Sequence, residues 1–497
     1  MRILLILCLL FVCGACTNAK KEEAETPSAG ESSTAPLVIY LTVPADTPSD
    51  DLVYLKVYGP TAYQMTRLSA TRFKLEMEEV TPGETLYYSY SRNNVGFQAA
   101  ELVSPERTGA NWDLYREILI GDSQQIIEDA VVDWRWLFPD GDIPAPPANL
   151  AASTTFVARV NSEEFMTGVG MHDYWSSEFL QLTARAAAYN VSKNMKWVLL
   201  FPNGKYNDDL QIPFVIDREP SGQYDEASLR EQIQIFKSGG MKVALSVGII
   251  NDGGVSAAQS NAYWDSRFQA YQDYIVWMAG IAEEEGVEAI FIMSHAILPG
   301  GDYPPNNGVA RWQTLMSAIR SAYSGKVGYN LHWNRDFDEL HPFTRFSSIV
   351  TEFDYVGGIM WDSLGDQDAP TDSELRTEVA RQFDEFLEPI WTTYGVPTVI
   401  TQVAYSSAAM GHKGERLYPA DDVSIGTWEP YDDSVPFDFT LQAQIYDSIL
   451  YNIASRPYIV GTYVFGQPYW KSQDKNMGVW GKPAADTISD WYQKASP

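Results

Sequence analysis

Residues 241–250, MKVALSVGII, and 287–295, VEAIFIMSH, enclose the amphipathic stretch SRFQAYQDYIVWMAGIAEEEG at 266–286. The two flanking runs are almost continuously apolar. Such runs mark strands buried on both faces, as parallel strands are, and the pattern between them has the helical period. The helical stretch ends in Gly286, a usual helix stop. Six further apolar runs share this character: FMTGVGMH (165–172), MKWVLLFP (195–202), KVGYNLHWN (326–334), YVGGIMWDS (355–363), PTVITQVAY (397–405) and IVGTYVFGQ (459–467). Amphipathic segments at 176–190, 225–240, 311–325, 373–395 and 441–457 fall between them. Eight strands interleaved with helices predict an α/β (β/α)8 TIM barrel over residues 153–497.

Upstream the period changes. LVIYLTVP, DLVYLKVYG, RFKLEMEEV, ETLYYSYSRN and REILIGD alternate apolar with polar residues and are punctuated by Pro, Gly and Asp. Short strands without helical periodicity predict an all-β sandwich at 36–138. PDGDIPAPPANL, within a Pro-rich linker at 139–152, is stiff and extended by composition. The chain is therefore multidomain, sandwich first and barrel second.

The N-terminus reads differently again. Residues 1–16, MRILLILCLLFVCGAC, carry one cation and an apolar run too short to span a bilayer. Gly14-Ala15-Cys16 resembles a bacterial lipobox, with Cys16 as the lipidated residue. Residues 17–35 are polar, rich in Ser, Pro and Glu, and read as a flexible tether. The chain's three cysteines all lie in 1–16, so the exported form is expected to have no disulfide. Lys20-Lys21-Glu22-Glu23 resembles a surface-export signal of polysaccharide degraders, which places the protein on the outer membrane, facing outward.

Net charge is −30, which repels polyanions and argues against nucleic acid and anionic membrane as partners. Aromatic residues reach 13%, with 15 Trp and 29 Tyr, a surplus of flat rings that needs a use. Neutral glycans fit both observations. The membrane is a partner through the lipid alone, and no cofactor is implied.

In a TIM barrel the working residues stand where strands end and the following loops begin. Those positions hold His172 and Asp173, Asn203, Asn251 and Asp252, Ser294 and His295, then His332, Trp333 and Asn334. The later strands add Trp361 and Asp362, Gln402 and Tyr405, and Gln467, Tyr469 and Trp470. The long loop 411–438 contributes Trp428 and Tyr431. Rings cover the C–H faces of pyranoses while amides and carboxylates take up hydroxyls, so this set suits a sugar.

From Thr167 onward the chain resembles glycoside hydrolase family 113, β-mannanase-like barrels with paired glutamates. The likeness lies in SGKVGYNLHWN (324–334), DYVGGIMWDSLGD (354–366), GVPTVITQVAYSS (395–407) and GKPAADTISDWY (481–492). It implies an acid/base glutamate ending strand four and a nucleophilic glutamate ending strand seven in a Thr-Glu pair. This chain has His295 at the first position and Thr401-Gln402 at the second. The upstream region resembles starch-binding modules of carbohydrate-binding family 20 in LTVPADTPSDDLVYL (41–55), LYYSYSRNNVGFQAAE (86–101) and REILIG…DAVVDWRW (116–136). Trp112, Trp134 and Trp136 there serve either sugar stacking or the core.

Three functions follow. The first is a surface lipoprotein that holds a β-mannan, β-glucan or starch-like chain in a hydrolase-derived cleft without cutting it. The second is an active glycosidase with a relocated pair drawn from Asp173, Asp252, Asp362, Glu219 and Glu429, or with His295 as acid opposite Asp362 as base. The third is a metal-dependent hydrolase built on His172, His295, His332 and Asp173, although no HxH or HExxH spacing is present and strands one and four lie nearly opposite. A retaining mechanism needs two carboxyl groups about 5–5.5 Å apart, which the His/Gln pair does not supply.

Overall fold

The structure, a computed structural model, describes residues 35–57, 62–92, 101–102, 116–134, 153–160, 163–171, 180–206, 212–220, 224–250, 260–293, 308–332, 349–416, 436–466 and 477–495. The chain divides into two compact units, with the described residues up to 134 in the first and those from 153 in the second. The expected linker and everything before residue 35, Cys16 included, lie outside the described residues.

Among the described residues the first unit is built from two four-stranded sheets and a short antiparallel pairing of Glu101–Leu102 with Asp133–Trp134. One runs in the order Thr66–Arg67, Arg72–Val80, Ala35–Thr42, Gln125–Ala130; the other runs Ala62–Gln64, Val53–Val57, Thr85–Arg92, Arg116–Leu119. Alternate residues of both sheets meet in one apolar cluster: Leu37, Ile39, Leu41, Phe73 and Leu75 from one, Val53, Leu55, Tyr88 and Tyr90 from the other. Full burial of each such side chain is worth about 1.5–3 kcal/mol, which holds the two sheets as one body. Trp134 belongs to this cluster, 1% exposed, and its indole N–H donates to Thr47 Oγ1 at 2.7 Å. That corrects the stacking alternative for Trp134, which is a core residue; Trp112 and Trp136 lie outside the described residues.

The second unit is a closed barrel of eight parallel strands: β1 (Met166–Met171), β2 (Trp197–Leu200), β3 (Lys242–Ile250), β4 (Ala289–Ile292), β5 (Lys326–His332), β6 (Tyr355–Met360), β7 (Thr398–Val403) and β8 (Ile459–Gly466). Each strand pairs with the next, and β8 closes on β1 with Met166 opposite Gly461. Helices α1 (Leu180–Ser192), α2 (Glu226–Ser238), α3 (Asn261–Glu284) and α4 (Gly308–Ala322) follow the first four strands. After β6, α5 (Asp372–Gln382) passes through a π turn at Phe383–Leu387 into α6 (Glu388–Tyr394). Helices α7 (Phe439–Ala454) and α8 (Pro483–Ala495) follow β7 and β8. Between β5 and β6 the described residues hold only the 3-10 turn Val350–Glu352.

Local chemistry starts these helices. Asp225 accepts the Ser228 amide at the head of α2, and Thr371 and Glu374 form a reciprocal capping box on α5. Hydrogen bonding to Ser228, first through its hydroxyl and then its amide, holds the Asp225 carboxyl below its usual range.

The barrel interior packs large against small. Met166, Trp197, Leu199, Phe291, Tyr355, Val399 and Tyr463 are buried together, and a Cβ on Gly168 or Gly328 would collide with the Tyr463 or Phe291 ring. Nearer the C-terminal strand ends the lining turns polar. There Asn330 donates to Ser246 Oγ at 2.9 Å, beside Gly357 and Thr401. At the other end Arg159 caps the barrel, donating to the carbonyls of Val157, Ile453, Ala454, Arg456 and Ile459 at 2.6–3.2 Å. Burial lowers its pKa to about 10.

Candidate functional site

The C-terminal strand ends define one face of the barrel. At β7 the ladder is irregular on both sides. Ile400 pairs with Gly358 and Gln402 with Ile359, so Thr401 is an extra residue against β6. Against β8, Ile400 pairs with Thr462 and Val403 with Val464, which again leaves one residue over. Thr401-Gln402 is therefore a β-bulge, a device that re-aims side chains at strand ends. Thr401 is buried and its hydroxyl donates to Gly358 O at 3.2 Å, while Gln402 is the half-buried residue of an otherwise buried strand.

On β6, strand alternation puts Tyr355, Gly357, Ile359 and then Trp361 on one side. Tyr355 is in the barrel core, and a Cβ on Gly357 would meet Asn330 and Thr401, so that side faces inward. Trp361 is half-buried at the mouth, and Asp362 is 2% exposed. Tyr405, fully buried, donates its hydroxyl to Asp362 O at 2.8 Å and is itself held by Gln442, which donates to Tyr405 O at 2.9 Å.

Beyond Tyr405 the chain folds back over the loop after β6. Leu364 donates its amide to His412 O at 2.7 Å, His412 Nε2 stands 2.7 Å from Gln367 O, and Lys413 Nζ lies 3.0 Å from Asp368. Gly414, at φ 55° and ψ −125°, lies so close to the Trp361 and Asp362 backbone that a Cβ there would overlap the Trp361 carbonyl. His412 is fully buried, and burial is the main reason its pKa falls below the usual imidazole value.

Two features lie beyond the apolar pattern and, Asn203 apart, beyond the strand-end residues. A hairpin, Asn203–Tyr206 with Ile216–Asp217, follows β2 and extends β3, with Asn203 in register with Gly248. It is fixed by Arg267 of α3, fully buried with its guanidinium 4.1 Å from the Tyr206 ring centre. Asn203 is half-buried, its side-chain oxygen against Gly248 and its amide donating to Phe201 O at 3.0 Å. The second feature is the His412 loop itself. A single His among charged loop residues gave no sequence signal that separates it from a solvated turn.

Gln402, Trp361, Asp362 and Tyr405 thus stand at or just beyond the C-terminal ends of the adjacent strands β6 and β7, with Tyr405 bonded to Asp362. His332 ends β5 in register with Ile359. Glu219 sits away from that cluster, its carboxylate accepting the Glu226 amide at the head of α2. His172, Asp173, Asp252, His295, Trp333, Asn334, Trp428 and Trp470 lie outside the described residues, as do Asn251, Ser294, Glu429, Tyr431, Gln467 and Tyr469. Among the described residues no three His, Cys, Asp or Glu side chains are placed to hold a metal ion, and no helix is long and apolar enough to cross a membrane.

A closed barrel of eight parallel strands, each feeding a loop at its C-terminal end, is a TIM barrel. The profile described as Glycoside Hydrolase Family 113 matches residues 172–476, more than half of the chain, and the chain belongs to that family. Among solved structures it is similar to a family 113 β-1,4-mannanase, at 19% identity and TM-score 0.51, covering 67% of this chain and 99% of the other. A complex of a family 113 β-1,4-mannanase matches with 19% identity, TM-score 0.50 and the same coverage. The β-mannanase AaManA of Alicyclobacillus acidocaldarius, in complex with ManMIm, matches at 17% identity and TM-score 0.50, covering 67% and 98%. At such identities the likeness is one of fold. No curated protein matches the chain.

Proposed function

We propose that the protein binds a neutral glycan in a glycosidase-derived cleft and does not hydrolyse it, the family's strand-four and strand-seven glutamates being replaced by His295 and Gln402. The observation that carries this reading is the residue at the end of β7. Thr401-Gln402 sits on the strand-end bulge where the family's Thr-Glu pair is expected, with an amide in place of the nucleophile. An amide oxygen holds no full negative charge to attack or stabilise an oxocarbenium-like centre. It still accepts and donates hydrogen bonds to hydroxyls.

The relocated pair has less support. Asp362 is 2% exposed, and a general base must reach a water in the cleft. Glu219 is engaged at the head of a helix. β-Mannan is the first glycan to try, because the similar structures are named as β-mannanases. The N-terminal unit, proposed as a carbohydrate-binding sandwich, and a lipid at Cys16 would together hold a polysaccharide at the outer face of the cell, with residues 17–35 as tether and 139–152 as linker.

Calorimetric titration of the protein lacking residues 1–16 with β-mannan, β-glucan and starch oligosaccharides tests the reading, alongside long incubations assayed for new reducing ends. Binding without cleavage supports it. Release of shorter sugars, or no affinity for any glycan, would overturn it.

A further inference from the structure

Five contacts tie the loop after β7 to the loop after β6, and three of them pass through His412 and its neighbours. The His412 carbonyl accepts the Leu364 amide, and its Nε2 meets the Gln367 carbonyl at 2.7 Å. Because a carbonyl only accepts, Nε2 carries the proton and Nδ1 is left with a lone pair. Nδ1 is buried and has no hydrogen-bond partner among the described residues. Lys413 reaches Asp368, Tyr405 reaches the Asp362 carbonyl, and Gly414 lies flat on the backbone of Trp361 and Asp362. The fastened segment begins at Trp361, the ring that alternation puts on the inward side of β6.

From this geometry we infer that His412 is a positioning residue for the glycan cleft: by fastening the 405–414 loop to residues 361–368 it fixes the Trp361 ring at the barrel mouth. This rests on the glycan-binding reading of that mouth and adds a means of setting its wall. The imidazole never touches the sugar. It acts through the backbone of Gln367, and by holding that end it keeps the main-chain bond between Leu364 N–H and His412 O in place, which determines where the loop leaves Trp361.

The fastening is sensitive to acid. Protonating Nδ1 places a charge in a closed space, with Lys413 opposing it and Asp366 and Asp368 favouring it. Asp362 faces the same segment through its carbonyl next to Gly414. Desolvation dominates and keeps the neutral ring favoured, so the latch holds above the ordinary imidazole range and loosens as pH falls below it.

Two measurements on the full barrel test the inference, with His412→Ala and His412→Gln as variants. Hydrogen exchange at the Leu364 amide, read without sugar, reports the latch alone. Protection should fall in His412→Ala and be largely kept in His412→Gln, whose side-chain amide can donate to Gln367 O. Titration with the glycan that wild type binds, from pH 5 to 8, reports the effect on the cleft. Wild-type affinity should fall at the acid end; His412→Ala should bind at least about fivefold more weakly throughout; His412→Gln should bind with a flatter pH profile. Unchanged Leu364 exchange in His412→Ala would overturn the latch, and an unchanged acid limb in His412→Gln would overturn its titration. If wild type binds no glycan, the proposed function falls while the exchange data still decide the latch.

Discussion

The side-chain oxygen of Asn330 rests against the bare Cα of Gly357, in the space that a Cβ at residue 357 would occupy. Asn330 is 3% exposed, its Nδ2 donates to Ser246, and its Oδ1 has no conventional partner among the described residues. A C–H···O approach to Gly357 is what remains for that oxygen. The arrangement ties β3, β5 and β6 together just beneath the mouth. Gly357→Ala should push Asn330 away and break its bond to Ser246, destabilising the barrel by about 1–3 kcal/mol. Gly280, within the C-terminal part of α3 and with open space where its Cβ would be, is the control. Gly280→Ala should stabilise by about 0.5–1 kcal/mol. Urea midpoints for the two variants should move in opposite directions.

Arg159 should matter as much, although no carboxylate faces it among its hydrogen bonds. Its donors go to five carbonyls, two of them in the last turn of α7, where the helix dipole favours a cation. Its guanidinium also lies over Phe156 and Phe165. Arg159→Ala should cost about 2–4 kcal/mol, since hydrogen bonds to charged groups are worth about 1.5–3 each and the freed carbonyls are only partly rehydrated. Arg159→Lys should recover little of that, because a point charge cannot address five acceptors in a plane. Thermal unfolding of each variant measures both.

In the N-terminal unit the Asp51–Arg92 pair is buried on both sides, with 2.8 Å between Nη1 and Oδ2. Arg92 Nε and Nη2 find no partner among the described residues, so its charge leans heavily on Asp51. Asp51→Ala should therefore cost about 3–5 kcal/mol by stranding a buried cation. The double variant Asp51→Ala with Arg92→Met removes the stranded charge and should be markedly more stable than the single one. A double-mutant cycle read by denaturant midpoints gives the coupling.

These residues also mark where sequence reading stops. The eight barrel strands were legible because burial on both faces leaves an unbroken apolar run, and each observed strand falls inside the stretch expected for it. In the first unit the long strands were legible by alternation. The pieces at Ala62–Gln64 and Thr66–Arg67 were too short to alternate. Gln125–Ala130 pairs parallel with Ala35–Thr42, a long-range choice that no local pattern encodes. Strand-end position puts Gln402, Trp361, Asp362 and Tyr405 at or just beyond the ends of β6 and β7, where the structure has them. It could not tell that Asp362 is buried, with Tyr405 and Gly414 against its main-chain carbonyl, nor find His412 or Arg267, whose partners are distant in the chain.

Gln402 permits the most direct chemical prediction. If the bulge aims residue 402 into the cleft as the family's nucleophile is aimed, then Gln402→Glu restores one of two required groups. A carboxylate can displace a leaving group that needs no proton, such as dinitrophenolate, but not a sugar alkoxide. The single variant should therefore release dinitrophenol in a burst from an aryl β-mannoside and still leave β-mannan intact, because a sugar leaving group needs an acid worth about 10²–10⁴ in rate. Adding His295→Glu should extend cleavage to the polysaccharide. The burst is the deciding measurement, since it depends on the placement of residue 402 and on nothing at strand four. Its absence, with the variant folded and still binding glycan, would mean that the extra residue in β7 turns the side chain away from the anomeric centre, and that Gln402 holds the sugar from its edge.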